Sequence, residues 1–176
     1  MAQTARGKER QAAQAQRIKQ AQAFLVPNHI DVAILGGGAA GLCAAITAAE
    51  ALGANKRVVV FEKALESGRT ILATGGGRCN FTNADLSFEN FSHPEFIQAV
   101  CRDKDTFLAD ILSFFRSSGL AWATEDEGRM YPLTRQASSI QSLLLKRAQK
   151  VGVQFALGRE VTSVKPQHNG FTVVFK

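Results

Sequence analysis

A glycine cluster, Gly36-Gly37-Gly38-Ala39-Ala40-Gly41, constrains the fold more than any other feature of the chain. Before it, Ile30 to Leu35 is a short apolar run that predicts a buried strand, and after it Ala39 to Leu52 is a small-residue stretch that predicts a helix closed by Gly53. Arg57 to Phe61 predicts a second apolar strand. Strand, helix and strand make a βαβ unit, and strands apolar on both faces belong in a parallel sheet. The cluster fits GxGxxG, a pattern with little weight on its own. Here it leaves a predicted strand, opens a predicted helix, and is followed 21 residues after Gly41 by Glu62 at the end of the next strand.

Each residue of that pattern has a physical reason to be there. Gly36 allows the tight turn, Gly38 lets a pyrophosphate approach the backbone, and Gly41 lets helix and strand pack closely. Ala39 and Ala40 open the helix, where unpaired N–H groups and the positive end of the dipole attract an anion. Glu62 is placed to accept hydrogen bonds from the ribose hydroxyls of an adenosine half and to repel a 2′-phosphate; the alternative is an exposed strand-end acid. Lys63 beside it either screens phosphate charge or is a surface lysine.

Composition excludes other classes. With 176 residues and 45% of them apolar, the chain can build a packed domain and is not a disordered tail. Val32 to Ala49 holds 18 uncharged residues, about the length that flags a membrane span, but its glycines, β-branched start and Ala-rich end fit a soluble strand, turn and helix better. The net charge of +6 is concentrated at the start: residues 1–23 hold Arg6, Lys8, Arg10, Arg17 and Lys19 against Glu9. That region predicts a solvated helix or frayed tail with no apolar stripe to dock on a core, and we treat residues 1–28 as a basic extension and 29–176 as the folded region. Nucleic acid is disfavoured as a partner because no aromatic interleaving accompanies the charge. The basic start leads into Gln and Ala rather than an apolar h-region, and Cys43, Cys79 and Cys101 lack CxxC spacing. A reducing, cytoplasmic setting is the expectation. His29, His93 and His168 are scattered, so neither a metal site nor a proton-transfer residue is named.

Residues 64–92 read as a long irregular loop centred on Gly75-Gly76-Gly77, and such loops are usually functional. Helical patterns follow at Glu95 to Cys101 and Thr106 to Ser118, then a hairpin-like pair at Ala121 to Thr124 and Arg129 to Tyr131. Thr134 can cap a helix running to about Lys150, and Val153 to Ala156 reads as a third parallel strand. Val161 to Val164 and Phe171 to Phe175 flank Asn169-Gly170, a strong two-residue hairpin signal.

With these residues in view, the chain resembles a known family. Gly36 to Gly41, Phe61-Glu62-Lys63, Gly68-Arg69, Glu127 to Pro132 and above all Thr74-Gly75-Gly76-Gly77-Arg78-Cys79-Asn80-Phe81-Thr82-Asn83 look like the N-terminal part of the HI0933-like flavoproteins, over about residues 29–176. The resemblance implies an α/β fold, a Rossmann-like FAD-binding domain of the two-dinucleotide-binding-domain flavoprotein type, incomplete at its C-terminus. Family members run to about twice this length or more. It also implies a bacterial FAD-dependent oxidoreductase that passes hydride between flavin and a nicotinamide or small organic substrate, with NAD(P)H as electron donor. The alternative is a non-catalytic dinucleotide-binding fragment.

Read physically, the backbone N–H groups of Gly75 to Asn83, Gly76 and Gly77 among them, with the Arg78 guanidinium, the Asn80 and Asn83 amides and the Thr82 hydroxyl, offer donors to a diphosphate or to the flavin's carbonyls; the alternative is a glycine loop with a surface arginine. Arg69 borders the phosphates or lies on the surface. Cys79 is a redox thiol near flavin or a structural residue. Val161, just after the third strand, meets adenine through its backbone. The substrate side is expected from a missing C-terminal region or a second copy of the chain.

Overall fold

The computed structural model describes residues 5–101 and 104–176, so the first four residues of the basic extension lie outside the described residues. In chain order the elements are α1 (Ala5–Ala23), β1 (Val32–Leu35), α2 (Ala39–Leu52), β2 (Val58–Glu62), β3 (Thr82–Asn83), α3 (Pro94–Cys101), α4 (Lys104–Ser117), β4 (Trp122–Thr124), β5 (Arg129–Pro132), α5 (Ala137–Lys150), β6 (Gln154–Leu157), β7 (Val161–Gln167) and β8 (Gly170–Phe175). They form two compact units, one of residues 1–68 and 147–176, the other of residues 69–146.

In the first unit β2 is the central strand. It pairs in parallel with β1, Val32 opposite Val58 and Leu35 opposite Phe61, and on its other side with β6, Val59 opposite Gln154 and Glu62 opposite Leu157. Val58, Val59, Val60 and Phe61 are each at most 2% exposed, as a strand covered on both faces requires. Burying each such side chain contributes about 1.5–3 kcal/mol. α2 turns Leu42, Ala45, Ile46 and Ala49 inward. Val59, Phe61 and Ala156 form a second layer with Phe24, Val26, Ile30, Val161, Val173 and Phe175. The uncharged run from Val32 to Ala49 is therefore β1, a glycine turn and part of α2, and no described helix is long and apolar enough to cross a membrane.

α1 is exposed along residues 11–19, while Ala21 in its last turn is buried. β7 and β8 form an antiparallel hairpin in which Gln167 pairs with Gly170. The turn residues are therefore His168 and Asn169, one position earlier than the Asn-Gly signal suggests. A two-residue I′ turn needs positive φ at both central positions, and neither His168 nor Asn169 adopts one. Gly170 takes a φ of 146° instead, where β8 begins.

The second unit holds a three-stranded antiparallel sheet, β3-β5-β4, with Thr82 opposite Met130 and Ala123 opposite Tyr131. β3 corrects the expectation of an irregular stretch: two residues of the signature segment join the hairpin as a strand too short for periodicity to reveal. Phe81 packs edge-on against Phe115 and Trp122, with ring centroids 4.8 and 6.0 Å away. α5 begins at Ala137 rather than at Thr134, whose hydroxyl accepts the Gln136 N–H at 3.3 Å and shares a hydrogen bond with Ser139.

Candidate dinucleotide site and signature loop

The glycine turn is built by backbone hydrogen bonds from every side. Gly36 N–H donates to Phe61 O at 2.8 Å, extending the β1–β2 pairing into the turn, and Gly68 N–H donates to Gly37 O at 2.6 Å. Gly36 has φ +100°, the conformation a tight turn asks of glycine. A side chain at Gly41 would run into Gly36 O and lie 3.3 Å from Ile34 Cγ2, which is the close helix–strand approach expected there. Gly38 is the N-cap of α2, with φ −75° and ψ −171°, and no side chain caps it. The first intrahelical bond is Leu42 N–H to Gly38 O at 2.9 Å. The N–H groups of Ala39, Ala40 and Gly41 come before that bond, so they are helix-end donors available to an anion.

Glu62 closes the site. Its Oε2 accepts the Gly37 N–H at 2.7 Å and its Oε1 accepts the Ala64 N–H at 2.7 Å. The carboxylate is thereby fixed against the glycine turn, and with about four lone-pair sites it keeps capacity for two further donors. That donor and acceptor set fits the two hydroxyls of an adenosine ribose beside a pyrophosphate. The segment after Glu62 is pinned in turn: Arg159 N–H reaches Glu62 O and Gly158 N–H reaches Ala64 O, both at 3.0 Å.

Val161 lies at the start of β7. Glu160 and Lys176 exchange both backbone hydrogen bonds at 3.0 Å, so the neighbouring pair, Val161 with Phe175, is the non-hydrogen-bonded kind. The N–H and C=O of Val161 are consequently directed away from β8. Lys63 is exposed, and its charge helps to hold the Glu160 carboxyl below its ordinary pKa, after the larger effect of the Lys176 hydrogen bond.

In the second unit the segment Arg69–Gly77 winds through 3₁₀ turns broken at Thr74, with Gly75, Gly76 and Gly77 all at positive φ. Arg69 is exposed at its start. Cys79 is 7% exposed with φ +59°, a buried thiol on a left-handed backbone. The polar side chains of the signature have partners within the unit. Asn80 Oδ1 accepts the Met130 N–H at 3.2 Å, Asn83 Nδ2 donates to Glu127 O at 2.8 Å, and Asn83 Oδ1 accepts the Asp85 N–H at 2.7 Å. Arg78 donates to Glu125 Oε2 at 3.1 Å and to the Tyr131 hydroxyl at 3.4 Å.

Three residues central to these arrangements escape sequence reading. Gly37 is the middle of the glycine run, and a side chain there would collide with Ser67, a buried residue no pattern marks. Glu125 reads as one acid among several in a turn, yet it is the acid that meets Arg78.

Together the parallel βαβ sheet, the uncapped helix end and the strand-end glutamate define a Rossmann-type dinucleotide-binding domain. The chain belongs to the HI0933-like family: residues 30–176 match the model of the HI0933-like protein Rossmann domain, as its signature segments led one to expect. It is 37% identical over 144 residues to the 3-dehydro-bile acid delta(4,6)-reductase of Clostridium scindens, a match covering 81% of this chain and 34% of that protein. It is 31% identical to the ribosomal RNA dihydrouridine synthase of Escherichia coli, over 81% of this chain and 35% of that one. The chain thus spans about a third of the length of these relatives. Among solved structures it is similar in fold to a 3-ketosteroid-delta4-(5alpha)-dehydrogenase from Rhodococcus jostii (TM-score 0.54, 17% identity, 88% of this chain and 45% of that one). It is also similar to an L-proline dehydrogenase from P. horikoshii (TM-score 0.54, 11% identity, 86% and 50%).

Proposed function

We propose that this domain binds FAD for a flavin-dependent reductase. The observation that carries the reading is the Glu62 carboxylate, tied to Gly37 and Ala64 with acceptor capacity left over, beside a helix end that no side chain caps. Gly36 makes the tight turn, its N–H spent on Phe61 O, and the backbone of Gly38 with the N–H groups of Ala39, Ala40 and Gly41 receives the pyrophosphate. Glu62 accepts from the ribose hydroxyls, and the Val161 backbone meets the adenine edge. Lys63, exposed beside Glu62, offsets phosphate charge. FAD, when bound, supplies hydride chemistry, with NAD(P)H as its electron donor.

One relative is named as a delta(4,6)-reductase and another as a dihydrouridine synthase. We carry to this chain the chemistry those names share, addition of hydrogen to a ring double bond of an organic substrate. The substrate-facing residues come from the part of the relatives that this chain does not match, or from a second copy. The test is to purify the protein, release bound flavin by heat and identify it by chromatography, then follow flavin bleaching on addition of NADH or NADPH without oxygen. FAD in the extract supports the reading. FMN alone, or no nucleotide bound even after incubation with FAD, contradicts it.

A further inference from the structure

Within the signature segment, Arg78 has the side chain best suited to grip an anionic ligand, yet its guanidinium is already held on two sides. Its Nη1 lies 3.1 Å from Glu125 Oε2, 47 residues away in the chain, and its Cζ sits 4.4 Å from the centre of the Tyr131 ring, at cation–π range. Arg135, at φ +52°, brings its Nη2 within 3.0 Å of Glu125 Oε1, so the carboxylate is shared between two arginines. Arg78 follows three glycines at positive φ and precedes Cys79, also at positive φ. Such a backbone has many alternative conformations to lose on ordering.

We infer that Arg78 is a positioning residue: it latches the Gly75–Asn83 loop onto the β4–β5 hairpin through Glu125 and Tyr131, rather than gripping a cofactor directly. Two other ties run the same way. Asn80 Oδ1 accepts the Met130 N–H of β5 at 3.2 Å, and Phe81 N–H donates to Met130 O at 3.1 Å. Tyr131 also sets how closely the loop approaches, because a side chain on Gly75 would lie 3.4 Å from its Cε1 and 2.9 Å from Asn80 N. The chemistry favours arginine over lysine at this position, since a planar guanidinium can stack on the ring and still donate in its own plane to the carboxylate, which an ammonium cannot do.

The latch makes Glu125 as important to the loop as Arg78, and that distinguishes it from a ligand-gripping arginine. The experiment is a double-mutant cycle with Arg78→Gln, Glu125→Gln and the pair together in the intact chain. Hydrogen exchange of the amides from Thr74 to Asn83 is read without any ligand, so the outcome does not depend on the FAD assignment. Arg78→Lys is the conservative control, and ADP affinity, which belongs to the glycine turn, reports on the integrity of the rest. Each single Gln substitution is expected to speed exchange in the loop about tenfold, on the scale of a tie of about 1.4 kcal/mol. The double variant should be within about threefold of either single, Arg78→Lys should not restore protection, and ADP affinity should be unchanged. Unchanged exchange in Arg78→Gln overturns the inference, as does full protection in Glu125→Gln. Loss of FAD affinity in Arg78→Gln with exchange unaltered would make Arg78 a direct ligand instead.

Discussion

The Gly37 N–H donates to Glu62 Oε2 at 2.7 Å, joining the glycine turn to the end of the neighbouring strand, 25 residues on. One carboxylate thus does two things: it fixes the turn, and it presents its remaining lone pairs beside the helix end. Glu62→Gln leaves a single acceptor oxygen, so either Gly37 or Ala64 loses its partner and faces an NH₂ group. We expect about 1–3 kcal/mol lost from stability and a comparable loss from FAD binding. Urea denaturation and flavin titration check both, and a variant as stable as the parent would show that these hydrogen bonds hold nothing.

Gly41 and Gly36 resist substitution for different reasons. A methyl group at Gly41 meets the backbone oxygen of Gly36, which has no freedom to move, so Gly41→Ala should cost about 1–3 kcal/mol or more through overpacking. At Gly36 nothing lies within 4 Å of the added carbon, and only the positive φ opposes it. Gly36→Ala should therefore cost about 1–2 kcal/mol, and less than Gly41→Ala. The order of the two melting temperatures tests this.

Gly37 and Ser67 should couple. A Cβ at Gly37 would collide with Ser67 Oγ and come within 2.9 Å of Ser67 Cβ. Gly37→Ala should destabilise the protein, and adding Ser67→Gly should recover part of the loss by removing both atoms. Additive losses in the double variant would mean that the side chains do not compete for space.

The ion pair between Arg147 and Glu50 gives a pH signature. Arg147 Nε and Nη2 donate to the two carboxylate oxygens at 2.8 and 2.9 Å, and these hydrogen bonds hold the Glu50 carboxyl below its ordinary 4.5. A lowered folded value means stabilisation that is full above 4.5 and is lost as pH falls through the folded value. Glu50 is 38% exposed, so solvent screening keeps the effect to about 0.5–1 kcal/mol. Glu50→Gln should lower stability by that amount at pH 7, and the difference between the two proteins should shrink as pH falls below 4.5.

The sequence disclosed the parts of this molecule that rest on local pattern. Apolar runs placed β1, β2 and β6, the small-residue stretch placed α2, and the glycine spacing with Glu62 pointed to the dinucleotide site. The Gly75–Asn83 segment carried the family. What stayed hidden depends on contacts between distant residues: Ser67 against Gly37, Glu125 against Arg78, and Thr82-Asn83 as a strand on β5. Asn83 read as an amide donor to a ligand because Glu127, whose carbonyl takes its N–H, becomes a neighbour only in the folded chain, and Met130 reaches the Asn80 oxygen in the same way. The β7–β8 turn moved by one residue for a local reason, since His168 and Asn169 keep negative φ and leave the unusual conformation to Gly170.

The central claim is that the glycine turn and Glu62 hold the ADP half of FAD, and calorimetric titration of the chain with FAD, ADP and FMN tests it most directly. ADP and FAD are expected to compete for one site, Glu62→Gln to weaken both by about 10- to 100-fold, and FMN, which has no adenosine, not to compete. FMN binding as tightly as FAD, or ADP and FAD affinities untouched by Glu62→Gln, would contradict it.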